Sequence, residues 1–136
     1  MVRRSDMTDA PRPLTDMTHA ELRVALAPDV AEAAVFDGWS MAAVDAAADA
    51  RGVSKAVARV AFAGGSMAMI DSWIASIDAA MAAGLSAAEL AALPIRARIR
   101  RLVTFRLDAI RGQEEALRRA LTVMAMPRNA TTAVRL

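Results

Sequence analysis

Alanine supplies 34 of the 136 residues, a quarter of the chain, and this abundance is the strongest constraint on its fold. Alanine has the highest helix propensity, whereas strands are enriched in β-branched and aromatic residues. Aromatic residues make up only 4% of the chain, and tyrosine is absent. The composition therefore predicts an all-α fold, and the length suits one domain.

The scarcity of reactive side chains favours a binding protein over an enzyme. Cysteine is absent and His19 is the only histidine, which removes disulfides, thiolate chemistry and most histidine-based metal or acid–base sites. Asp71 and Asp78 share a helix face at a spacing of seven residues, but nothing near them completes a catalytic set. We expect no catalytic residue, no metal site and no cofactor.

No apolar run approaches the roughly 20 residues that a membrane-spanning helix needs. The N-terminus also lacks the apolar core of a signal peptide. These two features predict a cytoplasmic protein, with contact at the inner membrane that is peripheral at most.

Capping and breaking residues divide the chain into three regions. Residues 1–17 are predicted to form a disordered tail, 18–65 a three-helix bundle, and 66–136 a helical ligand-binding or dimerisation region that is continuous with the bundle. Pro28 is expected to kink or restart the first helix. The predicted N-caps are Thr18 (in a capping box with Glu21), Ser40, Ser54, Ser66 and Ser86.

The stretch 48–54, followed by Phe62, has the spacing of a helix–turn–helix. Gly52 suits the tight turn, and Phe62 closes the second helix against the core. The motif resembles the N-terminal half of TetR-type regulators, which implies Ser54, Lys55 and Arg59 as DNA-binding residues. Because acids and bases balance between residues 37 and 62, the sequence favours a retained scaffold over DNA binding.

A longer resemblance joins several motifs between residues 36 and 129. They are Phe36-Asp37-Gly38-Trp39-Ser40, Arg51-Gly52-Val53, Phe62-Ala63-Gly64-Gly65, Ile95-Arg96-Ala97-Arg98-Ile99-Arg100 and Leu117-Arg118-Arg119-Ala120-Leu121. Together they resemble the ubiquinone-biosynthesis accessory lipid-binding family, the ninth component of the coenzyme Q pathway and its alphaproteobacterial relatives. The resemblance implies a TetR-like helical bundle whose ligand-binding half is truncated, because the family continues past this C-terminus.

The same resemblance implies a non-enzymatic accessory protein. It would bind an isoprenoid lipid or ubiquinone intermediate and present it to the demethoxyubiquinone hydroxylase. A TetR-type transcriptional regulator is the alternative function, and a remnant without a ligand is a third. Because a truncated half would expose apolar surface, we also expect a homodimer through the last two helices.

Two predicted helices supply most of the candidate lipid site, and the last predicted helix supplies Leu117 and Leu121. The helix from Ser66 has a broad apolar arc that either packs in the core or forms a pocket wall, for which methionine is well suited. In the helix from Pro94, Arg106 lies within the apolar arc, where it either pairs with a carboxylate such as Asp71 or Asp78 or faces a ligand head group. The candidate lipid-binding residues are Met69, Ile70, Trp73, Ile77, Met81, Leu102, Arg106, Ile110, Leu117 and Leu121.

Overall fold

A computed structural model describes residues 13–129, and within that range the chain is helical without a strand, which confirms the all-α prediction. Seven α-helices follow one another, flanked by 3₁₀ helices at Leu14–Asp16 and Pro127–Asn129. The α-helices are α1 (His19–Asp37), α2 (Met41–Arg51), α3 (Lys55–Ala61), α4 (Ser66–Gly84), α5 (Ala87–Ala91), α6 (Ile95–Ala109) and α7 (Glu114–Met124).

The predicted N-terminal tail, residues 1–17, lies mostly outside the described residues. Its described end differs from the prediction, because Leu14 and Met17 pack against the hydrophobic core around the first 3₁₀ helix. Two apolar side chains thus anchor a segment whose prolines and charges suggested a free tail.

Local capping chemistry sets most of the helix starts. The hydroxyl of Thr18 accepts a hydrogen bond from the backbone N–H of Glu21 at 3.2 Å, and the hydroxyls of Ser40, Ser54 and Ser86 each cap their own helix in the same way. These four predicted caps are confirmed. Each satisfies one of the backbone donors that a helix start leaves unpaired.

Two local predictions are wrong, and tertiary contacts explain both. Gly65, with φ +82°, is the N-cap of α4 instead of Ser66, whose hydroxyl donates to the carbonyl of Trp39 at 2.6 Å. Of the two outcomes expected at Pro28, the restart is wrong, because helix α1 continues through the proline. The helix buries Leu26 before the proline and Val30 after it, and this burial on both sides outweighs the local cost of proline.

One hydrophobic core joins the two predicted helical regions. Helix α1 packs against α2, α3, α4 and α7. Its small contact residues allow close helix approach, and the large side chains Leu22, Phe62, Met69 and Ile70 fill the centre. The bundle and the following helices therefore share one interior.

Trp39, in the turn between α1 and α2, ties the N-terminal bundle to the later helices. Its indole Nε1 donates a buried hydrogen bond to the carbonyl of Ala116 in α7 at 3.0 Å. Its ring lies 5.3 Å from the ring of Trp73 in α4, at an interplanar angle of 43°. With the bond from Ser66, this one residue contacts α4 twice and α7 once.

Helix α6 spans 15 residues and none of them is buried, as in the short helix α5 before it. It packs chiefly on α4, where Gly84 admits the ring of Phe105: a Cβ at Gly84 would lie 3.0 Å from that ring. Within residues 13–129 no single helix has the length and apolar character to cross a membrane, although α3 and α4 meet those criteria as a pair bent by 89°.

Candidate functional site

An open apolar groove lies between α4 and α6. It has two lobes, of about 170 Å³ and about 340 Å³, and Arg106 lines both. From α4 the groove is lined by Ile74, Ile77, Asp78 and Met81. From α6 and the residue that follows it, the groove is lined by Ile99, Leu102, Val103, Arg106, Leu107 and Ile110. We call this feature the α4–α6 groove.

Helical periodicity explains why these residues meet. In α4, Ile74, Ile77 and Met81 recur at spacings of three and four, so they lie on one face. Leu102 lies in α6 and Ile110 directly follows its end, about two turns further on, with Arg106 between them. Both helices turn an apolar face toward the space between them, and the groove remains open to solvent.

A single ion pair crosses the groove. Arg106 Nη2 lies 2.9 Å from Asp78 Oδ1, and the two side chains are 57% and 49% exposed. Of the two carboxylates that the sequence offered, Asp78 is therefore the partner of Arg106. An ion pair this exposed contributes about 1 kcal/mol or less to stability. The guanidinium carries five N–H donors, so donors beyond the Asp78 bond can approach an anionic group.

The structure divides the ten candidate lipid-binding residues between the groove and other places. Ile77, Met81, Leu102, Arg106 and Ile110 line the groove together. The remaining five lie elsewhere: Met69, Ile70 and Trp73 are buried in the core, Leu117 packs against the core, and Leu121 is 56% exposed on α7.

Besides Asp78, four apolar groove residues were not among the lipid-binding candidates: Ile74, Ile99, Val103 and Leu107. They belong to the same apolar faces of α4 and α6, so the periodicity that selected Ile77 and Leu102 carries their signal as well. Periodicity alone does not separate the part of the α4 face that borders the groove from the part that is buried in the core.

A second, wider cavity of about 920 Å³ lies between the start of α4 and the end of α7. Its lining mixes apolar side chains with Asp71, Arg128, Asn129 and the backbone of Gly64 and Gly65. This cavity is larger than the groove. Its polar lining nevertheless suits a hydrocarbon chain less well than the apolar lining of the groove does.

Asp71 and Asp78 line different cavities and do not form a pair. Asp71 borders the wider cavity, whereas Asp78 borders the α4–α6 groove. Seven residues of helix separate them by about 10 Å along the axis of α4. Among the described residues, no group of three or more histidine, cysteine, aspartate or glutamate side chains has a geometry that could hold a metal ion.

The turn between α2 and α3 has the glycine conformation expected of the motif, with Gly52 at φ +68°. Both basic side chains of α3 are paired with acids of α2. Lys55 Nζ lies 3.3 Å from Asp49, and Arg59 Nε donates to Asp45 at 2.8 Å. The hydrogen bond from Arg59 also lowers the pKa of the Asp45 carboxyl.

These pairings weaken α3 as a phosphate-binding helix. The hydroxyl of Ser54 caps α3, and the two cations are engaged within the protein. The outer face of α3 presents Val57 and Val60, 46% and 58% exposed. DNA binding depends chiefly on cations that are free to neutralise phosphates, and α3 offers its cations already paired.

Comparisons with models of protein families, with curated proteins and with solved structures found no match to this chain. The family resemblance therefore depends on the sequence motifs alone.

Proposed function

We propose that this chain is a non-enzymatic lipid-binding accessory protein of ubiquinone biosynthesis. In this proposal, the α4–α6 groove holds part of the isoprenoid tail of a pathway intermediate, and the protein presents that intermediate to the demethoxyubiquinone hydroxylase. The pathway and the hydroxylase come from the sequence resemblance. The observation that carries lipid binding is the convergence of Ile77, Met81, Leu102, Arg106 and Ile110 on one apolar groove.

The chemistry of the groove supports an amphiphilic ligand. Aliphatic side chains and Met81 offer an adaptable surface for a branched hydrocarbon chain. Arg106 stands where the two lobes meet and supplies polar contacts to a head group. Because ligand pockets usually span roughly 300–1,000 Å³, these lobes suit a segment of a long tail better than the whole of it.

A TetR-type regulator is the alternative function. The pairing of Lys55 with Asp49 and of Arg59 with Asp45 speaks against it, because those are the two cations that α3 would turn toward a duplex. Strong, salt-dependent retention of a DNA duplex by the unmodified chain would favour the regulator over the lipid-binding protein.

The lipid site is tested with two matched methionine variants of α4. Met81 borders the α4–α6 groove and Met67 borders the wider cavity, and both are half-buried. A fluorescent farnesyl probe should bind Met81→Gln about tenfold more weakly than the unmodified chain, because the variant places a polar amide against the tail.

Met67→Gln should leave the affinity for the probe unchanged. Circular dichroism controls for folding of both variants. Equal weakening by the two variants, or weakening by Met67→Gln alone, would contradict the assignment of the groove as the lipid site.

A further inference from the structure

Helix α6 presents a line of solvent-exposed aliphatic side chains that no other described part of the chain covers. Ile95, Ile99, Val103 and Leu107 recur every four residues and are 70%, 55%, 50% and 59% exposed. Four large apolar side chains along one surface helix form a contiguous patch, which usually marks an interaction site. We call these four residues the α6 stripe.

Arginines border the stripe on both sides. The segment from Ile95 to Arg111 holds six arginines and one acid, Asp108. At 100° per residue, Arg96 and Arg100 lie along one edge of the stripe and Arg106 lies along the other. The side chain of Arg106 is paired with Asp78, whereas the side chains of Arg96 and Arg100 make no hydrogen bond or ion pair with any residue between 13 and 129.

We propose that the α6 stripe docks on the surface of a bilayer that contains anionic lipids. A helix with an apolar face and a basic border lies in the plane of such a surface, its aliphatic side chains below the head groups. Arginines at the edges of the apolar face reach up to the phosphates, and each adds to the attraction. Arg96 and Arg100 occupy those edge positions.

The charge distribution on α6 favours an anionic bilayer over a second copy of the chain as the partner of the stripe. If two α6 helices paired symmetrically through their stripes, arginines would face arginines at the edges. Asp108 lies along the same edge as Arg96 and Arg100, but it already bonds to Arg111 at 3.0 Å. It therefore offsets little of the charge of the six arginines that each copy would bring to the contact. An anionic bilayer meets both the apolar and the basic requirement at once.

Docking would place the α4–α6 groove at the membrane. Ile99, Val103 and Leu107 belong both to the stripe and to the lining of the groove. A lipid tail could then pass sideways from the bilayer into the groove without crossing water. This consequence depends on the proposed function, whereas docking itself depends only on the stripe and its arginines.

The test measures partition of the full chain between buffer and vesicles. One set of vesicles is phosphatidylcholine alone, and the other contains equal parts of phosphatidylcholine and phosphatidylglycerol. The chain should sediment with the anionic vesicles only. Arg100→Gln should weaken binding about fivefold, and Arg101→Gln, the same charge change on the opposite face, should weaken it less.

A second matched pair of variants tests the contribution of the apolar side chains to vesicle binding. Val103→Ser should weaken partition into the vesicles about fivefold. The exposed half of the Val103 side chain would be buried in the docked state, and serine removes that apolar surface. Val60→Ser, at a similarly exposed valine of α3, should leave partition unchanged. Equal effects of the two serine variants, or no partition onto anionic vesicles, would overturn the proposal.

Light scattering tests whether a second copy of the chain, instead of a bilayer, covers the α6 stripe. A dimer that Val103→Ser dissociates would assign the stripe to a second copy and overturn membrane docking. If vesicles ignore the chain while the farnesyl probe still distinguishes Met81→Gln from Met67→Gln, docking is wrong and the groove assignment stands.

Discussion

Replacing Trp39 with phenylalanine should weaken the connection between the N-terminal bundle and the later helices. The substitution keeps an aromatic ring opposite Trp73 but removes the buried Nε1–H that bonds to the carbonyl of Ala116. Trp39 is only 5% exposed, so water cannot readily replace the lost donor. The effect should appear as a loss of global stability, because one core spans both parts of the chain.

Two terms set the size of the effect. The buried hydrogen bond contributes about 1 kcal/mol to the free energy of unfolding. The smaller ring leaves a space where part of the indole packed, which costs about 2 kcal/mol more. The expected loss for Trp39→Phe is therefore about 3 kcal/mol, a large share of the 5–15 kcal/mol typical of domains.

Urea unfolding followed by circular dichroism measures this loss. The midpoint should fall, while the slope of the free energy against urea stays the same if the folded state keeps its compactness. Phe36→Leu is the control, because Phe36 is 83% exposed at the end of α1 and should change stability by about 0.5 kcal/mol or less. A loss for Trp39→Phe no larger than that of the control would refute the assigned role of Trp39.

Two further predictions concern surface charges. Asp45→Asn should free Arg59 and raise the affinity of the chain for a DNA duplex at low salt, measured by fluorescence anisotropy; unchanged affinity would mean that the pairing does not restrain this cation. Hydrogen bonds from Arg118, and then from Arg119, lower the pKa of Glu115 to about 2. A depressed carboxyl pKa gives stability that is present above its unfolded value and is lost as the pH falls through the folded value. Glu115→Gln should therefore lose less stability between pH 5 and pH 2 than the unmodified chain, and a carboxyl resonance of Glu115 that titrates near 4.5 would contradict this.

Features governed by neighbouring residues could be predicted from the sequence. Thr18, Ser54 and Ser86 cap their helices because a hydroxyl at the first position reaches a backbone donor three residues later, whatever the rest of the chain does. Gly52 adopts a positive φ for an equally local reason, the tight turn between α2 and α3. Such features require no knowledge of the tertiary fold.

Features governed by distant contacts could not be predicted. Ser66 has the chemistry of a cap, but its hydroxyl bonds to Trp39, 27 residues away along the chain. The apolar arc of α4 is continuous in sequence, yet its first part, with Met69 and Trp73, is buried in the core. Its later part, with Ile77 and Met81, borders the groove. Which helix covers each part of the arc depends on packing that the periodicity does not specify.

The central claim is that the α4–α6 groove holds a lipid, and organic extraction of the purified chain followed by mass spectrometry tests it most directly. The account predicts an isoprenoid lipid of the quinone pathway in the extract of the unmodified chain. It also predicts a marked reduction of that lipid in Met81→Gln and no reduction in Met67→Gln. The account would be contradicted if the extract held no isoprenoid lipid and the purified chain bound a DNA duplex.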